Sequence, residues 1–208
     1  MKLRKTLAVA VASSILLAGC TTDKKEVRAY DDNIQKAFEK EQGITSTSKK
    51  LNDLEVKKQD LYKKANSNND DTRKKAADDI LDNIKQRENT FNDEISAIED
   101  SEKQFKKGES HIKEIKSDDK QKEVKQLDDA VKDKYKTHDA YAKAYKNVLN
   151  KEKDLFKLIK QDGITQSQVD EKNDALNKAQ DNFKKKFQNY SKAMNTVNKE
   201  KQDVDKLT

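Results

Sequence analysis

Residues 169–204 read VDEKNDALNKAQDNFKKKFQNYSKAMNTVNKEKQDV, and an apolar residue recurs in this stretch at every seventh position. The repeated positions are Val169, Leu176, Phe183, Tyr190, Val197 and Val204. A strict seven-residue period, with polar residues between, indicates a helix that supercoils in a left-handed sense against a partner helix. We predict that the partner is another segment of the same chain.

Three upstream regions carry related apolar patterns. Two of them keep the seven-residue period, at Ile84, Phe91, Ile98 and Phe105 and at Val124, Val131, His138 and Tyr145. The chain has no proline to interrupt long helices. Each region has about 40 residues, which corresponds to a helix of ~60 Å. We therefore predict an all-α fold, an elongated antiparallel bundle of about four long coiled-coil-like helices.

The tripeptide Gly-Ile-Thr occurs twice, at residues 43–45 and 163–165. Both copies lie where the apolar pattern is interrupted, and glycine and hydroxyl side chains favour helix ends and fresh helix starts. The pattern predicts a junction between helical segments at each copy. Either a kink or a full turn fits the sequence there.

The first residues have the order of a secretory signal peptide. Lys2, Arg4 and Lys5 precede an apolar run from Leu7 to Ala18. The run is about half as long as the ~20 residues that span a bilayer, so we predict that it is removed and does not remain as a transmembrane helix.

The apolar run closes with Leu17-Ala18-Gly19-Cys20. This ending resembles the lipobox of bacterial lipoproteins, whose cysteine thiol takes a diacylglyceryl group and becomes the first residue of the mature chain. We therefore predict a cleaved signal peptide over residues 1–19, a lipidated Cys20 with a polar tether over residues 20–28, and a helical domain over residues 29–208.

The composition limits both fold and partners. Charged residues make up 40% of the chain and hydrophobic residues 32%, which favours a thin helical body over a thick globular core. Without the three positive residues of the signal, 42 Lys and Arg stand against 39 Asp and Glu, a net charge of +3. This is not the strongly basic balance of a nucleic-acid binder, so we predict no nucleic-acid partner.

The sequence contains little that could perform chemistry. It lacks a Gly-rich phosphate loop, and neither His111 nor His138 lies in a His-Glu-x-x-His arrangement that would suit zinc. Cys20 is the single cysteine, so no internal disulfide forms. We predict a non-enzymatic protein with no catalytic residue, no metal site and no cofactor.

One aromatic cluster is a candidate binding surface. Tyr135, His138, Tyr141 and Tyr145 are three or four residues apart, so they share one helical stripe. Such a stripe could stack on sugar rings, because tyrosine offers an apolar face and a hydroxyl tip. The same residues could instead form part of the bundle core, and the sequence leaves both interpretations open.

Two basic runs are similarly ambiguous. Residues 106–107 and 184–186 are lysines, which would attract phosphate-bearing wall polymers or anionic lipid headgroups. The run at 184–186 lies between the seam residues Phe183 and Phe187, so we expect it to face solvent whatever the function.

The chain combines the lipobox, a polar tether that opens into Tyr30-Asp31-Asp32, and a Lys-, Asp- and Gln-rich helical sequence after it. In these features the chain as a whole resembles the YkyA family. These are lipoproteins of Gram-positive bacteria described as cell-wall-binding. The resemblance implies a protein held by the lipid on Cys20 at the outer face of the cell membrane, with peptidoglycan or anionic wall polymers as partners. The alternative is a helical scaffold that recruits a protein partner at the cell envelope.

Overall fold

The computed structural model describes the backbone of residues 14–208 and the side chains of residues 22–208. Residues 1–13 of the predicted signal peptide, and the side chains of Leu17, Ala18, Gly19 and Cys20, therefore lie outside the described residues. The described part of the chain forms six helices and no strand. They are α1 (Ser14–Lys40), α2 (Ile44–Ala65), α3 (Asp70–Phe105), α4 (Glu109–Ile112), α5 (Asp118–Ile159) and α6 (Gln166–Asp205).

The helices build an antiparallel bundle of four rods, as predicted. The first rod consists of α1 followed by α2, and both pack along α3. The second rod is α3, and the third is α5, which packs against α3. The fourth rod, α6, packs along much of the length of α5. The short helix α4 lies in the connection from α3 to α5 and contacts α1.

The junction at residues 43–45 is a kink. Gly43 has right-handed helical angles, φ −67° and ψ −20°, and the Ile44 N–H donates to the Glu41 carbonyl at 2.9 Å. The helices α1 and α2 hardly contact each other and instead follow α3 one after the other. Helical hydrogen bonding therefore nearly continues through this glycine.

The junction at residues 163–165 is a full turn. Gly163 has a φ of +68°, a left-handed conformation that glycine adopts without steric cost. Thr165 then caps α6, since its hydroxyl accepts the Gln168 N–H at 3.3 Å and the Gln168 side chain accepts the Thr165 N–H at 2.9 Å. The same tripeptide thus forms two different junctions.

We expect opposite effects from one substitution at these two glycines. Gly43→Ala should raise the free energy of unfolding by about 0.5–1 kcal/mol, because alanine suits a right-handed conformation and meets no atom within 4 Å. Gly163→Ala should lower it by about 1–2 kcal/mol, because an L side chain is strained in the left-handed region. Urea unfolding monitored by circular dichroism measures both. Equal effects at the two sites would contradict the assignment of kink and turn.

The described part of the predicted tether is not a free segment. Residues 22–28 belong to α1, and Asp23 and Val27 are buried. The Asp23 carboxylate accepts the backbone N–H groups of Lys116 and Ser117 at 2.7 and 3.0 Å. The stretch predicted as a polar tether is therefore helical and packed in its described part, because α1 continues toward its N-terminus and contacts the connection before α5.

The bundle has two distinct ends. At the α4 end, the start of α1 meets α4, the start of α5 and the end of α6, and the Arg28 side chain donates to the Thr208 carbonyl at 2.9 Å. At the Gly163 end, Lys74 and Asp162 form an ion pair at 2.5 Å that joins the start of α3 to the turn before α6. An apolar cluster fills each end.

Candidate functional site

Most of the tyrosine stripe on α5 is inside the bundle. Tyr135, His138 and Tyr145 are buried, whereas Tyr141 is half-buried. The structure therefore brings the four residues together along one helix but leaves only Tyr141 open to a ligand. Burial raises the pKa of Tyr141, and the nearby carboxylate of Glu94 adds to the effect.

Tyr135 belongs to a buried polar cluster at the kink. Its hydroxyl lies 2.8 Å from the Ser101 hydroxyl, which donates to the Glu41 carboxylate at 2.5 Å. The same carboxylate accepts two hydrogen bonds from Lys134 at 2.5 Å. Burial lowers the pKa of Lys134 although Glu41 opposes that shift. These contacts join α1, α3 and α5 where α1 ends.

His138 pairs with a carboxylate in the middle of the bundle. Its Nε2 lies 3.2 Å from Glu94 Oε1, and both side chains are buried. The ring of Tyr190 packs edge-on against the imidazole at 5.1 Å between ring centroids. His138 is thus satisfied within the core and has no open position for a ligand.

The aromatic surface that remains open lies between α5 and α6. We call it the α5–α6 patch and define it as Tyr141, Phe183 and Phe187. Tyr141 lies 5.5 Å from Phe183 and 5.8 Å from Phe187 between ring centroids. Phe187 is 48% exposed. Among residues 22–208, the one other large apolar side chain that is exposed is Val56.

The kink explains why this patch is open. Phe38 near the end of α1 and Met194 of α6 line one small cavity, so α1 covers α6 there. Phe187 lies seven residues before Met194, about 10 Å further along α6. Beyond the kink, α2 follows α3 and makes almost no backbone contact with α6. No described helix therefore covers Phe187, which the sequence pattern alone assigns to the seam.

Lysines border the α5–α6 patch. Lys184 and Lys185 are exposed, as predicted for this run, whereas Lys186 is half-buried. In the other basic run, Lys106 is paired with Glu102 at 2.7 Å. Positive charge beside open aromatic rings suits a ligand that combines apolar faces with anionic groups.

Sequence reasoning missed a buried ionic network around Arg87. This side chain is fully buried, donating from Nε to Asn83 at 2.9 Å and from one terminal nitrogen to Glu55 at 2.6 Å. Its other terminal nitrogen donates to Glu152, which is 1% exposed and also accepts the Tyr62 hydroxyl at 2.6 Å. The network joins α2, α3 and α5.

In this network, the attraction between opposite charges offsets the cost of burying them. Burial disfavours the charge of Arg87, but Glu152 and Glu55 outweigh it and raise the pKa of the guanidinium. Burial likewise opposes the charge of Glu55, yet Arg87 and Lys58 hold the pKa of that carboxyl below its usual range. Arg87 and Glu55 therefore stay ionised and paired.

A signal for this network exists in the sequence. Glu152 lies seven residues after Tyr145 on the same seam row, and Arg87 is seven residues before Glu94 and seven after Ile80. A charged residue at a seam position predicts a buried partner of opposite charge. Neither Arg87 nor Glu152 belongs to the rows of seven predicted above, which contain apolar residues and His138.

One group of carboxylates comes close enough to hold a cation. Oxygens of Glu123, Glu200 and Asp203 lie within 4.8 Å of one another and are half-buried. Lysines already neutralise two of them, since Lys199 pairs with Glu200 at 2.9 Å and Lys206 with Asp203 at 2.6 Å. These ion pairs account for the group without a metal.

The architecture defines a class of protein: a helical rod with a predicted lipid anchor and an open aromatic patch. None of the helices in the described region is long and apolar enough to cross a membrane. The chain belongs to the YkyA family, whose model, described as "Putative cell-wall binding lipoprotein", matches residues 25–207. That description names binding and a lipid anchor but no catalytic activity.

Two related proteins extend this assignment. The chain is 24% identical to "Uncharacterized lipoprotein YkyA" of Bacillus subtilis (strain 168), over 93% of this chain and 87% of that protein. It is 42% identical to a Staphylococcus aureus protein whose crystal structure is described as that of a conserved protein of unknown function. The structural match has a TM-score of 0.78 and covers 89% of this chain and 95% of the other, so the bundle fold is shared with that protein.

Proposed function

We propose that this protein is a non-enzymatic lipoprotein that binds the glycan of the cell wall through the α5–α6 patch. A lipid on Cys20 holds it at the outer face of the cytoplasmic membrane. The ligand is peptidoglycan or a wall polymer attached to it. The family description supports the coarse function, and the residues of the patch support the mode of binding.

The observation that carries this proposal is the exposure of Phe187 beside Tyr141. Phe187 is the exposed ring of the patch, and an exposed aromatic face is suited to stacking on the apolar face of a sugar ring. The Tyr141 ring is nearly parallel to that of Tyr190, with an interplanar angle of 17°, so it is held in place before a ligand arrives. A preorganised aromatic surface loses little conformational entropy on binding.

The test is the retention of the detergent-solubilised chain by purified peptidoglycan sacculi. Phe187→Ala should weaken retention by about two- to twelve-fold, because one aromatic contact contributes about 0.5–1.5 kcal/mol. The melting temperature should change little, since the side chain is half exposed and few core contacts depend on it.

Val56→Ala is the matched control. Val56 is 56% exposed and lies on α2, so its truncation removes apolar surface without touching the patch. We expect full retention of this variant. If Phe187→Ala is retained as well as Val56→Ala, the patch does not bind the wall, and the scaffold role with a protein partner becomes the better explanation.

A further inference from the structure

The first described turn of α1 is fixed to the rest of the bundle. Asp23 is 4% exposed, and its carboxylate accepts two backbone N–H groups from the connection between α4 and α5. Three residues further, Glu26 Oε2 lies 2.7 Å from His111 Nδ1. Val27 and Tyr30 follow with no exposed surface. The chain is therefore part of the rigid bundle from Asp23 onward.

The predicted lipid attachment lies very close to this rigid start. Cys20 precedes Asp23 by three residues, and an extended chain spans at most ~3.6 Å per residue, so at most about 11 Å separates them. The headgroup zone of one leaflet is itself about 5–7 Å thick. A lipid on Cys20 thus leaves almost no room between the bundle and the membrane surface.

We propose that the α4 end of the bundle lies against the lipid headgroups and that the Gly163 end points away from the membrane. This inference rests on the lipid anchor of the proposed function. The surface in contact is the connection around α4, residues 106–117, together with the exposed start of α1.

Chain length imposes this contact whatever the ionic strength. Residues 22–28 and 106–117 carry seven Lys and Arg against four Asp and Glu, a net charge of +3. This excess adds an attraction to anionic lipids that salt screens. The contact itself should persist at high ionic strength, because the lipid on Cys20 holds the bundle at the surface.

The same geometry sets the height of the α5–α6 patch. From Phe187 to the end of α6 at Asp205 the helix rises about 27 Å, so the patch lies at roughly that height above the membrane when the rod is upright. The Gly163 end would reach about 60 Å. The glycan bound at the patch would then belong to the zone just outside the membrane.

Energy transfer from single labels to a headgroup-labelled acceptor lipid tests the orientation. Because Cys20 is the single cysteine and its thiol carries the lipid, Lys113→Cys and Asn68→Cys each introduce one reactive thiol, at the α4 end and the Gly163 end respectively. The lipidated full chain is placed in phosphatidylglycerol–phosphatidylcholine vesicles. We expect transfer at residue 113 to exceed transfer at residue 68 several-fold, at low and high salt.

A lengthened connection provides the second variant. A flexible Gly-Ser segment inserted between Thr22 and Asp23 should reduce the difference between the two labels, because the bundle can then move away from the surface. If a lipidated chain shows equal energy transfer at both labels, the orientation is wrong but the proposed function still stands. The same holds if the insertion leaves the difference between the two labels unchanged. Mass spectrometry that finds no lipid on Cys20 overturns the proposed function together with the orientation.

Discussion

Replacing Arg87 by leucine should destabilise the bundle by about 3–5 kcal/mol, the largest loss we expect from a single substitution. The guanidinium is fully buried and lies between Glu55 and Glu152. Without it, the buried carboxyl of Glu152 keeps only the Tyr62 hydroxyl and a more distant Lys58 ammonium at 3.5 Å as partners. An uncompensated buried carboxylate costs several kcal/mol. Urea unfolding followed by circular dichroism measures the change.

Two further variants separate the ionic effect from a general loss of packing. Lys63→Ala removes one partner of the exposed pair with Asp60 and should change stability by less than about 0.5 kcal/mol. Arg87→Leu combined with Glu152→Leu removes both buried charges and should recover much of the loss, because no carboxylate is then left unpaired at the centre. A double variant as unstable as Arg87→Leu would show that the loss comes from packing and not from charge.

Cys20→Ala should abolish lipid attachment completely. The thiol of Cys20 is the single thiol of the chain, so no other side chain can form the thioether to a diacylglyceryl group. For the protein without this substitution, intact-mass measurement of the membrane fraction should find a chain that lacks residues 1–19 and carries the added lipid. The variant should carry neither change, because removal of the signal depends on the modified cysteine.

The readout must be lipid mass and not membrane retention. The apolar run from Leu7 to Ala18 could hold an unprocessed chain at the membrane even without lipid. Thr21→Ala is the control, since it lies next to Cys20 and leaves the Leu-Ala-Gly-Cys motif intact. Lipid found on the Cys20→Ala chain, or its absence from the Thr21→Ala chain, would contradict the assignment of Cys20 as the anchor.

The candidate site shows where sequence reasoning succeeds and where it fails. The stripe from Tyr135 to Tyr145 was found by its spacing, but spacing cannot tell whether the face it marks is covered by another helix. The structure covers Tyr135, His138 and Tyr145 and leaves Tyr141 partly open. Phe187 is the most exposed aromatic side chain among residues 22–208, yet the same period assigns it to the seam.

The seven-residue period is sufficient to predict helices of about the right length and an antiparallel bundle, because the period encodes which face of each helix is apolar. The lipobox can likewise be recognised from sequence alone, because it consists of four consecutive residues. Other features depend on contacts between segments far apart in the chain.

The two Gly-Ile-Thr copies differ in their backbone angles because their flanking helices pack differently, one pair along α3 and the other pair against each other. The attachment of Asp23 to the start of α5 and the pairing of Arg87 with Glu152 likewise join residues 93 and 65 positions apart. The local sequence around a residue does not specify which distant group will contact it in the folded bundle. Packing of the whole bundle therefore decides which polar residues are buried and which aromatic ring stays open.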